Sequence, residues 1–537
     1  MLILIAEKTY HRAAQIALGF LAVVVLLTFQ HYGISWDEEI QSQYGQSVFD
    51  YYASGFLDHR YNQLFNLYIY GGMFDGLAAL VDAWSPMDIY DTRHLLNALC
   101  GLFGLWGTWR VGRLLGGGQV GLIAMLLLAL TPMYYGHMFN NPKDIPFAAC
   151  VIWSIYYMTK SLRLFPHISL RLILKLSLFI GLTLGIRVGG VMLLGYWGVA
   201  LGLQALVLLI QAPSPRGWLW FRLGVRLAAL VVPVTVLAYG VMLICWPWAQ
   251  EAPIANPWLA LVQFSNFPQD VEVLLNGTIY RSTELPWFYL PLYFAVQLPL
   301  AHLALVVLGI VLLPLILRDL RLWAHRAAMF LILLMAFVPM LYAMLRHPAL
   351  YDAVRHFIFT LPLLCLLAAL AVRPLIRLVR LALRRIVSDE ARQLVLVGVI
   401  GIVAVGATYH IVTVMRLHPY EYIYVNGLQG GVQGAYGKYE MDYWGSSFKE
   451  AAAKLQDYVA KEGGIPPGKI YRVAICGPWS SATIYLPPDY APVVADEPAE
   501  FFLSTTRWMC QNMRPGREII RVERMGVPLS VVKDLRH

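Results

Sequence analysis

The chain repeatedly runs for about as many apolar, uncharged residues as a helix needs to cross a bilayer, roughly 20 at 1.5 Å each. A soluble core could not hide so many such runs. About eleven can be read along the sequence, and they set the expectation of a polytopic α-helical membrane protein. Composition agrees, because 14% of the 537 residues are charged against about a quarter in soluble domains. The first run, near residues 13–29, follows Lys8 and Arg12 and has no small-residue cleavage site after it, so it is expected to stay in place as a span. Two polar, aromatic-rich stretches, about 30–92 and 247–291, stand out as long loops.

The basic residues orient these spans. The ends holding Lys8, Arg110, Lys160, Arg216, Arg318 and Arg373 carry about twenty Lys and Arg. The opposite loops carry Arg60, Arg93, Lys143, Arg187, Arg281, Arg346 and Arg355. The positive-inside rule places the first set in the cytoplasm. With an odd span count, the N-terminus is expected inside, and both long loops and the C-terminal part outside. The net charge of +9 therefore implies no nucleic-acid partner, since membrane orientation accounts for the clusters.

The division expected is a membrane domain over 1–416 and a soluble α/β domain over 417–537. In the second part charges become frequent. Phe448, Ala452, Leu455 and Val459 recur at helical spacing within 446–461. Residues 469–476 alternate like a strand, and 518–525 with 528–532 straddle Gly526 like a hairpin. Cys476 and Cys510 are the two cysteines of this part. In an oxidising compartment they could close a loop of roughly 34 residues, or they could be separate buried thiols. Sequence leaves both open.

Several motifs carry no chemistry on this reading. Gly116, Gly118 and Gly121 match a dinucleotide-binding spacing, but they lie between two spans and lack the preceding strand. Asn276-Gly277-Thr278 is a glycosylation triplet of a kind common by chance. The informative segment is Ser35-Trp36-Asp37-Glu38-Glu39, just past the first span. Ser35 and Glu38 fit a capping box at a helix start. Asp37 is not needed for that, and on a helix it would share a polar face with Gln41 and Tyr44, suited to a sugar. Asp144, in Asn140-Asn141-Pro142-Lys143-Asp144, is on the same side, and a turn with a capping acid would also explain it. Arg346 and Arg355 flank a short loop with His347 and His356, and arginine forks suit a phosphate.

In order, the chain shows one span, Trp36-Asp37-Glu38, Arg93 opening the second span, Gly121-Leu122-Ile123-Ala124 through Leu130-Thr131-Pro132, and Asn141 with Asp144-Ile145-Pro146. Pro286-Trp287-Phe288-Tyr289 and Arg355-His356 leading to Leu361-Pro362 follow. This order resembles the dolichyl-phosphate-mannose-protein mannosyltransferase type of C-type membrane glycosyltransferases, which includes the lipid A aminoarabinose transferases. The resemblance covers most of residues 1–430. It implies transfer of a sugar from a polyprenyl-phosphate donor to a lipid, glycan or protein acceptor at the periplasmic face of a bacterial inner membrane. Asp37 would be the catalytic base, Asp144 and Glu38 would serve as second acid or acceptor site, and Lys143, Arg187, Arg346 and Arg355 would hold the donor phosphate. A divalent metal is compatible with Asp37 and Asp144, although two acids are thin grounds for one. Arg355-His356 departs from the usual Arg-Tyr, which leaves the role of His356 open. Asn426, Gly430-Gly431 and Asp442-Tyr443-Trp444-Gly445 also resemble a juxtamembrane segment of bacterial relatives, with no role assigned. A transporter without chemistry would place acids inside the spans and show related halves, and neither is seen. An O-antigen-type ligase would use an outer Arg/His set without Asp37.

Overall fold

The computed structural model describes residues 7–212, 217–265, 269–386 and 388–536. Arg216 of the cytoplasmic tally lies outside the described residues. Helix α1 (Glu7–Thr28) is followed by α2 (Glu38–Ala53) and α3 (Met73–Asp82), which fold much of the first polar stretch. Then come α4 (Ile89–Gly116), α5 (Gly118–Ala129), α6 (Pro132–Asn140), α7 (Asp144–Leu164), α8 (Leu170–Leu184), α9 (Val191–Gln211) and α10 (Gly217–Ile244). The second polar stretch holds α11 (Pro247–Glu251), α12 (Ala255–Ser265) and a hairpin of β1 (Glu272–Leu275) and β2 (Thr278–Arg281). Helices α13 (Tyr289–Gln297), α14 (Leu300–Val311), α15 (Leu313–Asp319), α16 (Trp323–Arg346), α17 (Leu361–Ile386) and α18 (Asp389–Leu417) complete the helical part.

The chain is a multi-pass membrane protein. Among the described residues, six helices are long and apolar enough to cross a bilayer, and two bent pairs raise the count to eight. The pairs, α5–α6 and α14–α15, bend by 66° and 73°, each with a proline in the first turn of its second helix, where a missing N–H permits a break. The other expected runs lie on α4, α7 and α8. Helix α8 has 15 residues. Helix α7 is buried along nearly its whole length, and α4 buries Arg93, His94 and Asn97, so neither needs an all-apolar surface.

Glycine sets how closely α4 and α5 approach. A Cβ on Gly121 would stand 2.6 Å from the Trp109 carbonyl oxygen, so the glycine pattern at this junction serves packing. Asn276 and Gly277 take positive φ at the tip of the β1–β2 hairpin, the backbone of a tight primed turn, which gives that Asn-Gly pair a structural purpose.

Beyond α18 lie α19 (Gly431–Ala435), α20 (Phe448–Lys461) and α21 (Trp479–Thr483), with strands β3 (Tyr471–Cys476), β4 (Tyr490–Val494), β5 (Phe501–Thr505), β6 (Arg517–Arg524) and β7 (Val527–Asp534). The sheet order is β4-β3-β5-β7-β6, with β3 parallel to β4 and β5 and the other pairs antiparallel. Phe448, Ala452, Leu455 and Val459 form the buried stripe of α20. Asp442 orders the turn that leads into this helix. Its carboxylate accepts from the backbone N–H of Ser446 at 3.0 Å and of Ser447 at 2.9 Å, and Tyr422 Oη also donates to it.

Candidate active site

Two adjoining cavities lie where the helical part meets the sheet domain. One is wide, about 690 Å³. The other is narrow, about 30 Å³. Asp37, Tyr70, Lys143, Tyr351, Arg355 and Trp444 line both.

Asp37 sits in the turn that opens α2, with its backbone carbonyl taken by the N–H of Gln41. Arg355 reaches it from a 3₁₀ turn before α17. Positive φ at His347, Asp352 and Ala353 reverses the chain after α16 and turns it back toward the site. Arg355 Nη1 donates to Asp37 Oδ2 at 3.1 Å, and its Nε lies 3.2 Å from Asp352. Burial alone would raise the Asp37 carboxyl. The Arg355 guanidinium and the Lys143 ammonium outweigh it and hold the group below its ordinary 3.8. Asp37 is therefore an ionised carboxylate.

Asp144 opens α7 in the narrow pocket. It accepts from Asn141 Nδ2 at 2.9 Å and pairs with Arg187. Lys143 packs its ammonium 4.3 Å from the centre of the Tyr70 ring, while Arg355 lies over Tyr351 and Trp444. Aromatic faces thus replace part of the water these cations lose. The narrow pocket gathers three cations, Lys143, Arg187 and Arg355, against two carboxylates, Asp37 and Asp144. The Nε–H of Arg187 is buried with no hydrogen-bond acceptor among the described residues. His356 lines this pocket as well. A metal ion fits poorly. Each carboxylate already carries an arginine, and no trio of His, Cys, Asp or Glu among the described residues is placed to hold one.

Two expected residues are elsewhere. Glu38 lines neither cavity. Its carboxylate accepts from the Ser35 N–H at 2.6 Å and meets His94 Nε2 at 3.1 Å, contacts that tie it to the local turn. The box is half formed, since Ser35 Oγ has no hydrogen-bond partner among the described residues. Glu38→Gln should cost about 1 kcal/mol, the scale of a lost cap, with transfer retained. Chemical denaturation beside an activity assay checks this. Arg346 ends α16 with its side chain exposed and lines neither cavity. The chain reverses after it, and that reversal delivers Arg355 and leaves Arg346 behind.

Sequence reasoning did not anticipate the wall supplied by the C-terminal domain. Arg507 lies 3.0 Å from Asp352 and donates to Glu440 at 3.0 Å and to the Tyr443 carbonyl at 2.7 Å. A chain of charges therefore runs Asp37, Arg355, Asp352, Arg507, Glu440. Trp508 meets Trp36 edge to face at 5.7 Å across the mouth of the wide cavity. Trp508 and Met509 both hold left-handed backbone, φ 54° and 55°, a conformation that needs support from its surroundings. Support comes from Cys510, which is bridged to Cys476 with Cα atoms 5.7 Å apart. Replacing both with Ser should cost about 3–4 kcal/mol by the chain-entropy model. It should also raise KM, because the Arg507–Trp508 turn loosens. Denaturation and kinetics on the double variant check both, and unchanged KM would separate the bridge from the site.

Residues 92–239 match the family model of dolichyl-phosphate-mannose-protein mannosyltransferases. No curated protein sequence matches the chain. Among solved structures, the archaeal oligosaccharyltransferase AglB from Archaeoglobus fulgidus, in complex with an inhibitory peptide and a dolichol-phosphate, is similar at 12% identity. That match covers 93% of this chain and 70% of the other, with a TM-score of 0.50. ArnT from Cupriavidus metallidurans bound to undecaprenyl phosphate is similar at 13% identity over 97% and 98% of the two chains, with a TM-score of 0.46. The likeness to AglB is one of fold.

Proposed function

We propose that this chain, a membrane glycosyltransferase of the C-type family, moves a sugar from a polyprenyl-phosphate carrier to an acceptor at the periplasmic face of a bacterial inner membrane, with Asp37 as general base. One observation carries the reading. An ionised carboxylate stands where a wide cavity meets a narrow pocket holding three cations. A sugar acceptor can enter the wide side, and a phosphate leaving group suits the cationic side. A prenyl phosphate of the kind held by the archaeal oligosaccharyltransferase fits that charge.

The acceptor nucleophile attacks the anomeric carbon as the carbon–oxygen bond to phosphate breaks. Its proton passes to Asp37 Oδ, and the electron pair leaves with the prenyl phosphate. Lys143, Arg187 and Arg355 would hold the growing negative charge, placed in advance as good electrostatic catalysis needs. Asp144 would keep Arg187 in place, and the aromatic walls would carry the faces of sugar rings. Residues 1–416 would carry the chemistry, and the domain over 417–537 would close one wall of the site.

The face is tested with sealed, right-side-out vesicles and an impermeant acceptor added outside. Transfer is expected there, and transfer confined to inverted vesicles would overturn the assignment. The base is tested by pH. The active form of Asp37 is ionised, so activity is present above its pKa and lost as pH falls through it. With that pKa held below 3.8, the acid limb of kcat should fall below the usual carboxylate range. A limb near pH 6 would assign the base to another group.

A further inference from the structure

We infer that a second site, at the opposite ends of α4 and α7 from Asp37, binds an anionic phospholipid. Arg93 and Arg110 on α4, like Asp144 and Lys160 on α7, are roughly 25 Å apart at 1.5 Å per residue, close to the roughly 30 Å of a bilayer's hydrocarbon layer. The second site therefore faces the other membrane surface. This inference does not rest on the chemistry proposed for Asp37.

A cavity of about 390 Å³ opens there among α4, α7 and the start of α8. Arg110, Lys160, Arg171 and Lys175 ring it. None of the four has a carboxylate partner among the described residues. Other basic residues on this side do, since Arg113 pairs with Glu7 and Arg377 with Asp319. Three of the four find aromatic rings instead. The Arg110 guanidinium lies 4.9 Å and the Lys160 ammonium 5.3 Å from the centre of the Tyr156 ring. Lys175 lies 6.0 Å from that of Tyr157. Four cations around a concave, aromatic-floored cavity at a membrane surface suit a phosphate.

The lipid tail has a place as well. A second cavity of about 550 Å³ follows one face of α1, from His11 past Gly19 to Ala22, and meets the first at Trp106 and Arg110. That face is roughly 16 Å long, the length of much of an acyl chain. A Cβ built on Gly19 meets nothing within 4 Å, so the groove is open at its middle. A head pocket and a tail groove sharing two residues describe a phospholipid better than a free anion, which would use the first cavity alone.

The test is native mass spectrometry of the full-length protein in neutral detergent with phosphatidylglycerol and phosphatidylcholine offered together. Phosphatidylglycerol should be retained in preference. A double variant, Lys160→Gln with Lys175→Gln, removes charges held only by rings, and should weaken retention about 30-fold, at about 1 kcal/mol per basic residue near a surface. Gly19→Leu adds a side chain to open space on a helix that tolerates it, and should also weaken retention. Arg222→Gln with Arg226→Gln, on α10, should leave it unchanged. Equal retention of the two lipids, an unaffected Lys160/Lys175 variant, or an equal loss in the α10 variant would overturn the site. Full displacement of the lipid by millimolar inorganic phosphate would also overturn it, by assigning the cavity to a free anion.

Discussion

Asp37→Asn is expected to lower kcat for sugar transfer about 10²–10⁴-fold, the usual contribution of a positioned base, with little change in thermal midpoint. Asparagine keeps the shape, and its amide oxygen can still accept from Arg355 Nη1, now at 3.1 Å from Oδ2. Arg355 keeps Asp352 as counter-charge at 3.2 Å, so the site need not collapse. What disappears is the proton acceptor. Removing a negative charge from beside Lys143 and Arg355 also leaves the pocket more cationic, so KM for an anionic donor should hold or fall. A variant with normal kcat and raised KM would make Asp37 a binding group and not the base. Steady-state kinetics on the reconstituted protein decide this.

Arg355→Gln should be damaging on both stability and rate. The side chain is buried, ties Asp37 to Asp352, and lies 4.8 Å from the Tyr351 ring centre. Removing one member of a buried charge set costs about 3–5 kcal/mol. The lower end applies here, because Asp352 keeps Arg507 at 3.0 Å and the Asp37 side chain is 40% exposed to the cavity. If Arg355 also holds the leaving phosphate, the rate should fall about 10²–10³-fold, the scale of one lost donor to a developing charge. The acid limb of the pH profile should move upward, since Arg355 is the foremost influence lowering Asp37. Arg355→Lys should recover part of the stability and less of the rate, because one ammonium cannot bridge two carboxylates as a planar fork does. Equal rescue of both by Lys would reduce Arg355 to a point charge.

The helical part was legible because lipid enforces long apolar runs, and those runs fall on helices of the structure. The exact span count was less so. α4 and α7 are inner helices whose polar faces meet protein, and the α5–α6 and α14–α15 pairs bend at prolines. Asp37, Asp144, Lys143, Arg187 and Arg355 could be nominated because charged residues at a membrane surface are few and stand out. Arg346 looked equivalent to Arg355 by that measure. The backbone reversal at His347 and Asp352 separates them, and no residue pattern announces it. In the C-terminal part, α20, β3 and the β6–β7 hairpin were readable from period and turn residues. Strands β4 and β5 were not. Tyr490–Val494 holds a proline, and Phe501–Thr505 is buried along its whole length, so it shows no alternation. Arg507 and Trp508 were invisible as site residues because their contribution is long-range. They are brought to Asp352 and Trp36 by the packing of the C-terminal sheet against the helical part, and the loop that carries them bears no local signature. Asp442-Tyr443-Trp444-Gly445 shows the same limit. The stretch stood out, but its use, ordering the turn before α20 and placing Trp444 in the cavity wall, depends on long-range packing.

The most direct test of the central claim is release of free polyprenyl phosphate from a polyprenyl-phosphate sugar by the purified protein in liposomes, with acceptor supplied from membrane extract and both lipids followed by mass spectrometry. Wild-type protein should convert the sugar-bearing lipid to polyprenyl phosphate as a glycosylated acceptor forms in equal amount, and Asp37→Asn should retain the donor unconverted. Equal release by both proteins, or acceptor glycosylation with no prenyl phosphate released, would contradict the account.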